Sequence, residues 1–212
     1  MTSAVRAVTF DLDGTLYDAA AARLPMLWAC FPRWRTLRVG RAVREELRGR
    51  TFPNGAALRD EEARVAGERL GVDAAMARHR LDTVFDADLT RALGRLGACV
   101  GARDGLAALA GRGLRLGVVS DRRVDDKLAA LGLADLPWAA RVSADDVGLL
   151  KPAPALFLRA CEALGVAPSD AVHVGDRDDT DGAGARAAGM RALLVGRDGS
   201  LAAICRDLAA AA

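Results

Sequence analysis

Four short segments, far apart in the chain, carry residues that could do chemistry together. They are Asp11-Leu12-Asp13-Gly14-Thr15, Ser120-Asp121, Lys151-Pro152, and the stretch with aspartates at 176, 178, 179 and 181. Carboxylates crowded into one site repel, and burying them without compensation is costly. A hard divalent cation resolves that conflict. Mg²⁺ suits one or two carboxylates together with water and substrate phosphate. No histidine cluster or cysteine pair stands near these segments, which argues against zinc. A cation beside a lone lysine and a serine hydroxyl makes a phosphate site. The positive charges neutralise phosphoryl oxygens, while Ser120 and backbone N–H groups donate to them. Asp11 is placed to act as a carboxylate nucleophile and form an aspartyl-phosphate. Asp13, two residues on in an extended segment, shares its side of the backbone. It can protonate the leaving oxygen and then activate water.

These residues need elements to bring them together. Val5 to Phe10 is a short apolar run rich in β-branched residues, stopped by Asp11-Leu-Asp-Gly, and reads as a buried strand ending in a turn. From about Ala19 to Gly97 the pattern is Ala, Leu and Arg at helical spacing. Breaks at Phe31-Pro32, Thr51 to Gly55 and Gly71 to Asp73 suggest four or five helices. Beyond Gly101, strands expected at Leu114–Val119, Ala140–Ser143, Ala171–Val174 and Arg191–Val195 alternate with helices. Those helices are expected at Arg103–Gly111, Val124–Leu131, Pro154–Leu164, up to about Ala188, and from Ser200. Such alternation predicts an α/β fold, a doubly wound parallel sheet covered on both faces. Residues 1–17 and 98–212 are expected to form this core, with an all-helical block, 18–97, inserted into it. The Ala tail from Ala209 reads as a frayed helix end. In such a sheet ligands bind beyond the carboxyl ends of the strands, where the four polar segments fall.

Composition removes other classes of function. The chain has 212 residues, 51% hydrophobic and 27% charged, ordinary for a globular protein. Thirty basic against 28 acidic residues leave a net charge of +2, which does not suit a dedicated nucleic-acid binder. The helical block is the basic part, with 15 arginines against 11 acidic side chains. Cys30, Cys99, Cys161 and Cys205 make no C-x-x-C pair and read as free, mostly buried thiols. The first residues, Met-Thr-Ser-Ala-Val-Arg, lack the apolar core and cleavage site of a signal peptide. No stretch approaches ~18 uncharged apolar residues, so no membrane span is expected and the cytoplasm is the expected compartment.

In order and spacing, Asp11-Leu-Asp-Gly-Thr-Leu, Val118-Val-Ser-Asp121, Lys151-Pro-Ala-Pro, and His173-Val-Gly-Asp176 through Asp181 to Gly189-Met190 resemble the four motifs of the haloacid dehalogenase-like hydrolases. The resemblance spans essentially the whole α/β part. It implies a Rossmann-like core, Mg²⁺, a nucleophile at Asp11 and an acid/base at Asp13. It also implies phosphate contacts from Ser120 and Lys151, substrate contact at Asp121, and metal binding by Asp11, Asp13 (through its carbonyl), Asp176 and Asp181. An insertion right after the first motif resembles the subgroup with an α-helical cap, which includes phosphoglycolate-phosphatase-like enzymes. Thr180 and Asp121 depart from the family pattern, where Asn is common.

The expected activity is hydrolysis of a small-molecule phosphate ester, by a monomer or homodimer. A 2-haloacid dehalogenase is a rival, but enzymes of that kind resembling this fold lack the second aspartate. A phosphonate hydrolase would need a cap lysine, and residues 18–97 contain none. A sugar-phosphate mutase and a non-catalytic phosphate-binding module are further alternatives. Gly182-Ala-Gly184-Ala-Arg-Ala187 matches a dinucleotide fingerprint but lies too far from its strand, and reads as helix–sheet packing. His173 is expected in the core behind the site, and His79 in solvent. Trp28, Phe31 and Trp34 are expected in the core of the helical block. Arg33, Arg35, Arg38, Arg41 and Arg44 read as a solvated face, from which one or two could reach a second anionic group.

Overall fold

The structure, a computed structural model, describes residues 4–212. Met1, Thr2 and Ser3, the start of the segment read as lacking a signal peptide, lie outside the described residues. Five strands, β1 (Ala7–Phe10), β2 (Arg115–Ser120), β3 (Trp138–Ser143), β4 (Ala171–Gly175) and β5 (Arg191–Leu194), form one sheet. Its order is β3-β2-β1-β4-β5, and the observed pairings are all parallel. This is the doubly wound α/β arrangement. Every residue of β1 and β4 is buried. Successive strand side chains point to opposite faces, so both faces of the centre are covered, and these strands are apolar apart from Thr9 and His173.

Phe10 pairs with Val118 on one side and Val174 on the other. β1 therefore ends one residue short of β4 and two short of β2, and the residues after them emerge on the same side of the sheet. Strand order reverses between β1 and β4, which is where a ligand crevice forms in such sheets.

The chain between β1 and β2 is helical. It comprises α1 (Ala19–Ala29), a 3₁₀ turn (Phe31–Arg33), α2 (Trp34–Glu46), α3 (Gly55–Leu70), α4 (Ala74–Asp82), a wide turn (Thr83–Asp88), α5 (Leu89–Leu96) and α6 (Ala102–Gly111). Local signals set these boundaries. Asp18, Asn54 and Asp73 accept from backbone N–H groups at the starts of α1, α3 and α4. Gly71, at φ 71°, ends α3 in the left-handed conformation that glycine adopts without a Cβ penalty. The wide turn carries the chain on from α4 into α5 without a break. Around the sheet lie α7 (Asp125–Ala130), α8 (Ala144–Val147), α9 (Pro154–Leu164), α10 (Ala183–Ala187) and α11 (Leu201–Ala211). The short α8 escaped sequence reading because one turn has no periodicity to detect.

Three expectations fail. Trp28, Phe31 and Trp34 are not core residues: they are 74%, 65% and 50% exposed. Helix α1 buries its other face, through Ala22 and Met26. The tail does not fray at Ala209, which is buried against the core while α11 runs on to Ala211. Arg44 is not on a solvated face but is almost fully buried. Gly184 does serve packing, since a Cβ there would strike the Phe157 ring and the Pro152 carbonyl. The cysteines are free, with Cys30, Cys161 and Cys205 buried, and burial pushes the Cys205 thiol up to about 12. Among the described residues no helix is long and apolar enough to cross a membrane.

The helical insertion meets the sheet side at a close backbone contact. A Cβ on Gly55 would collide with the Asp145 main chain at α8. Gly55→Ala should therefore destabilise the protein by about 1–3 kcal/mol, the usual cost of overpacking. Urea denaturation with paired fluorescence and circular dichroism checks this, and an unchanged midpoint would refute the tight contact.

Candidate active site

The segment after β1 turns sharply. Gly14 has φ 97°, and a Cβ there would strike the Asp176 carboxylate. Glycine at this position thus lets the β1 and β4 loops approach. Asp11 is buried, and its two oxygens are held from two directions. Lys151 Nζ donates to Oδ1 at 2.5 Å, and Thr15 Oγ1 donates to Oδ2 at 3.2 Å. Lys151 Nζ also donates to Asp181 Oδ1 at 2.7 Å. One buried cation thereby bridges the first and fourth segments.

The electrostatics follow from that bridge. Burial pushes the Asp11 carboxyl well above the usual range, against the pull of Lys151 and with further push from Asp181 and Asp13. Burial also acts upward on Asp181, but Lys151 and His173 outweigh it and hold Asp181 below its ordinary value. Lys151 would lose charge to burial alone, yet Asp11 and Asp181 keep its pKa above that of a free lysine. Partial burial and the Asp181 charge push Asp176 up to about 6.

His173 lies where sequence reading expected it, wholly buried behind the site. Its Nδ1 is 2.9 Å from Thr9 Oγ1 and its Nε2 is 3.4 Å from Asp181 Oδ1. Burial lowers its pKa below the usual histidine range, so the ring supports Asp181 in the neutral form.

Asp11, Asp176 and Asp181 offer carboxylate oxygens that all lie within 4.8 Å of one another. Three hard oxygen donors at that spacing fit a divalent cation. The Asp13 carboxylate is turned elsewhere, so any metal contact from Asp13 falls to its carbonyl. Its side chain accepts from Lys127 Nζ at 2.7 and 2.8 Å and from Tyr17 Oη at 2.9 Å. Burial works against Lys127 and Tyr17 here, and the outcome is a carboxyl held below its ordinary range. Asp178 and Asp179 are exposed and pair with Arg186 and Arg177, outside the cluster.

Ser120 is the buried last residue of β2 and does not line the cavity. Its Oγ accepts the Arg122 N–H at 3.2 Å, which shapes the turn after the strand. Asp121 lines the cavity, but its carboxylate accepts the Lys151 backbone N–H at 2.9 Å and pairs with Arg48 at 2.7 Å. It fixes the lysine segment and receives a side chain from the helical insertion.

The cavity holds about 650 Å³. Its floor is Asp11, Asp13, Lys151, Asp176, Thr180 and Asp181, and the insertion supplies Met26, Arg38, Arg41, Phe85 and Leu89 among others. Sequence reading missed Tyr17, Lys127, Arg48 and Arg122. Lys127 carried a usable signal, as one of only two lysines, on the helix that follows the second polar segment. Arg48 and Arg122 have partners distant in sequence, and Tyr17 meets Asp13 only through the turn after β1.

A family model, haloacid dehalogenase-like hydrolase, matches residues 5–189. The chain belongs to that family. It is 35% identical to the phosphoglycolate phosphatase of Rhodospirillum rubrum, over 90% of this chain and 79% of that one. It is 40% identical to haloacid dehalogenase-like hydrolase domain-containing protein 3 of Mus musculus. That match takes in 45% of this chain and 39% of the mouse protein, so the chain spans well under half of that relative. Among solved structures, a 2-haloacid dehalogenase from Pseudomonas syringae pv. Tomato superposes with a TM-score of 0.65 at 28% identity, covering 98% of this chain and 100% of the other.

The Lys151 bridge gives a direct test. Lys151→Met leaves two buried carboxylates without their cation, and breaking such a pair costs about 3–5 kcal/mol. Without the lysine, burial acts unopposed upward on the Asp11 and Asp181 carboxyls, so the variant loses most stability where both must stay ionised and less as falling pH protonates them. The deficit, measured by urea denaturation of metal-free protein, should therefore be largest near pH 7 and shrink toward pH 4. A deficit independent of pH would count against the charge bridge.

Proposed function

We propose that the chain is a Mg²⁺-dependent phosphatase that hydrolyses a small-molecule phosphate monoester through an aspartyl-phosphate, an acyl phosphate formed on Asp11. The observation that carries this reading is the convergence of Asp11, Lys151, Asp176 and Asp181 on one cavity. The similarity to phosphoglycolate phosphatases over most of the chain supports it, and points to a small phosphorylated acid among possible substrates.

In this mechanism an Asp11 oxygen attacks phosphorus and the ester P–O bond breaks. The leaving oxygen takes a proton from Asp13. Asp13, now a carboxylate, takes a proton from water as that water attacks the phosphorus. The bond to Asp11 breaks, and inorganic phosphate and free Asp11 result. Lys151 neutralises phosphoryl oxygens, and Ser120 supports the loop that brings Asp121 to the Lys151 backbone. Thr15 orients the nucleophile. Bound Mg²⁺ on Asp11, Asp176 and Asp181 would neutralise phosphate charge. The Asp13 partners fit the water-activating half of the cycle, since Lys127 and Tyr17 favour its ionised form. For the first half, Asp13 must receive its proton as the substrate enters.

The helical insertion, residues 18–97, acts as a cap over the cavity, excluding water during transfer and opening for release. The dehalogenase rival is disfavoured by Asp13: a halide leaves without needing a proton.

Asp11→Asn should reduce turnover of p-nitrophenyl phosphate by at least a thousandfold while the fold is retained by circular dichroism. Substantial residual turnover would sink the nucleophile assignment. Chloride release from a 2-haloacid without Mg²⁺ would favour the rival instead.

A second prediction concerns the metal. The Asp176 carboxyl, raised to about 6, favours the metal-free fold below pH ~4, and that contribution is lost as pH rises through ~6. Protons and Mg²⁺ compete for this group. Millimolar Mg²⁺ should raise the melting temperature clearly at pH 7.5 and hardly at pH 5, and Asp176→Asn should abolish the increment. A shift that is equal at both pH values would contradict it.

A further inference from the structure

The cavity's charges pair off unevenly. Lys151 is taken by Asp11 and Asp181, and Lys127 by Asp13. Arg44 pairs with Glu62 and Asp145, Arg122 with Glu62, and Arg48 with Asp121 and Glu45. Arg177 pairs with Asp179. Two guanidinium groups in the cavity wall remain, Arg38 and Arg41. Neither has a carboxylate or hydrogen-bond partner among the described residues. Arg38 instead lies over the Trp34 ring, 5.3 Å from its centroid.

Arg38 and Arg41 stand three residues apart on α2, so they are neighbours on one face of that helix. Both are exposed while lining the cavity. Asp176 is the metal-cluster carboxylate without an ion-pair partner among the described residues. The lining also includes the apolar Met26, Phe85 and Leu89. The cavity thus combines a carboxylate cluster suited to a cation, apolar side chains, and two unpaired guanidinium groups on α2, whose one lining carboxylate, Glu45, is taken by Arg48.

We propose that Arg38 and Arg41 form a second anion subsite. The substrate is then a small phosphate monoester that carries another anionic group, a carboxylate or a second phosphate. This rests on the phosphatase reading above and deepens it. Phosphate at the cation site leaves the rest of the ester to the apolar side chains and to α2. Guanidinium forks match either anion with two parallel N–H donors. Apart from Lys151, which meets the transferred phosphate, the cations engaged with protein carboxylates would strand those carboxylates by turning to a ligand, which makes the unengaged pair the selective element.

The experiment compares kcat/KM on three probes with Mg²⁺: 2-phosphoglycolate, 1,3-propanediol bisphosphate, and ethyl phosphate with its uncharged tail. It uses the wild type, Arg38→Met, Arg41→Met and the double variant. The wild type should favour one anionic-tailed probe over ethyl phosphate by at least tenfold, chiefly through KM. The favoured probe identifies the second group as carboxylate or phosphate. Each single variant should cut that preference several-fold, and the double variant at least tenfold. Both side chains are exposed, so the single variants report even if the double one folds poorly. Equal use of all three probes by the wild type, or a preference that survives both single substitutions, overturns the subsite and leaves the phosphatase reading standing. Hydrolysis of none of the probes would refute both together.

Discussion

The contact between Lys151 Nζ and the carboxylates of Asp11 and Asp181 is the interaction on which the rest depends. Two carboxylates from different strands cannot be buried together unless a cation lies between them. Lys151 supplies that cation from a third segment, and Asp121, from a fourth, holds the Lys151 backbone. The neighbouring ends of β1, β2 and β4 make this possible, because parallel pairing delivers their following residues to one side of the sheet. Removing any one segment leaves a buried charge unpaired in the others. The same geometry that stabilises the fold therefore gathers Asp11, Lys151, Asp176 and Asp181 around one cavity.

A second set of buried charges joins the helical insertion to the sheet. Arg44 reaches from α2 to Asp145 and the Asp121 carbonyl, and also meets Glu62 of α3. Arg122 returns from the β2 loop to Glu62 and lies over the Phe85 ring at 3.6 Å. Arg48 bonds the Lys151 carbonyl and the Asp121 carboxylate. Ion pairs suit a boundary of this kind. They are directional, and they separate into water at lower cost than a continuous apolar interface, since each partner is well hydrated once exposed. Beside these pairs the apolar core runs on from the sheet into the insertion, through residues such as Met26, Leu58 and Leu93, so the charges set the register of a block that also packs against the core.

Much of the site was legible in the sequence because its chemistry is local. Asp11, Asp13 and Asp176 follow a strand and Lys151 shortly precedes a helix, and the rule that ligands gather beyond strand ends groups them without coordinates, though the same rule also drew in Ser120, which does not line the cavity. Lys127, Tyr17 and Arg48 were not legible. Tyr17 lies outside any helix and reaches back to Asp13 through a turn, and no periodicity shows which residue of a helix will face a loop many tens of positions away, as Lys127 faces Asp13 and Arg48 faces Asp121. The aromatic residues near α1 misled for a related reason. Trp28, Phe31 and Trp34 have the composition of a core, but Ala22 and Met26 occupy the face that the rest of the insertion covers.

The sequence by itself determined the alternation of strand and helix, hence a parallel sheet with an insertion after its first strand, and the residue types at the strand ends. Those depend on hydrophobic period and turn chemistry, which are properties of short stretches. Only the tertiary structure decided which charges cancel. It set Lys127 against Asp13, Asp121 against Arg48, and left Arg38 and Arg41 facing the cavity without a carboxylate. Pairing depends on distance across the fold, and distance between segments is not written in any one of them.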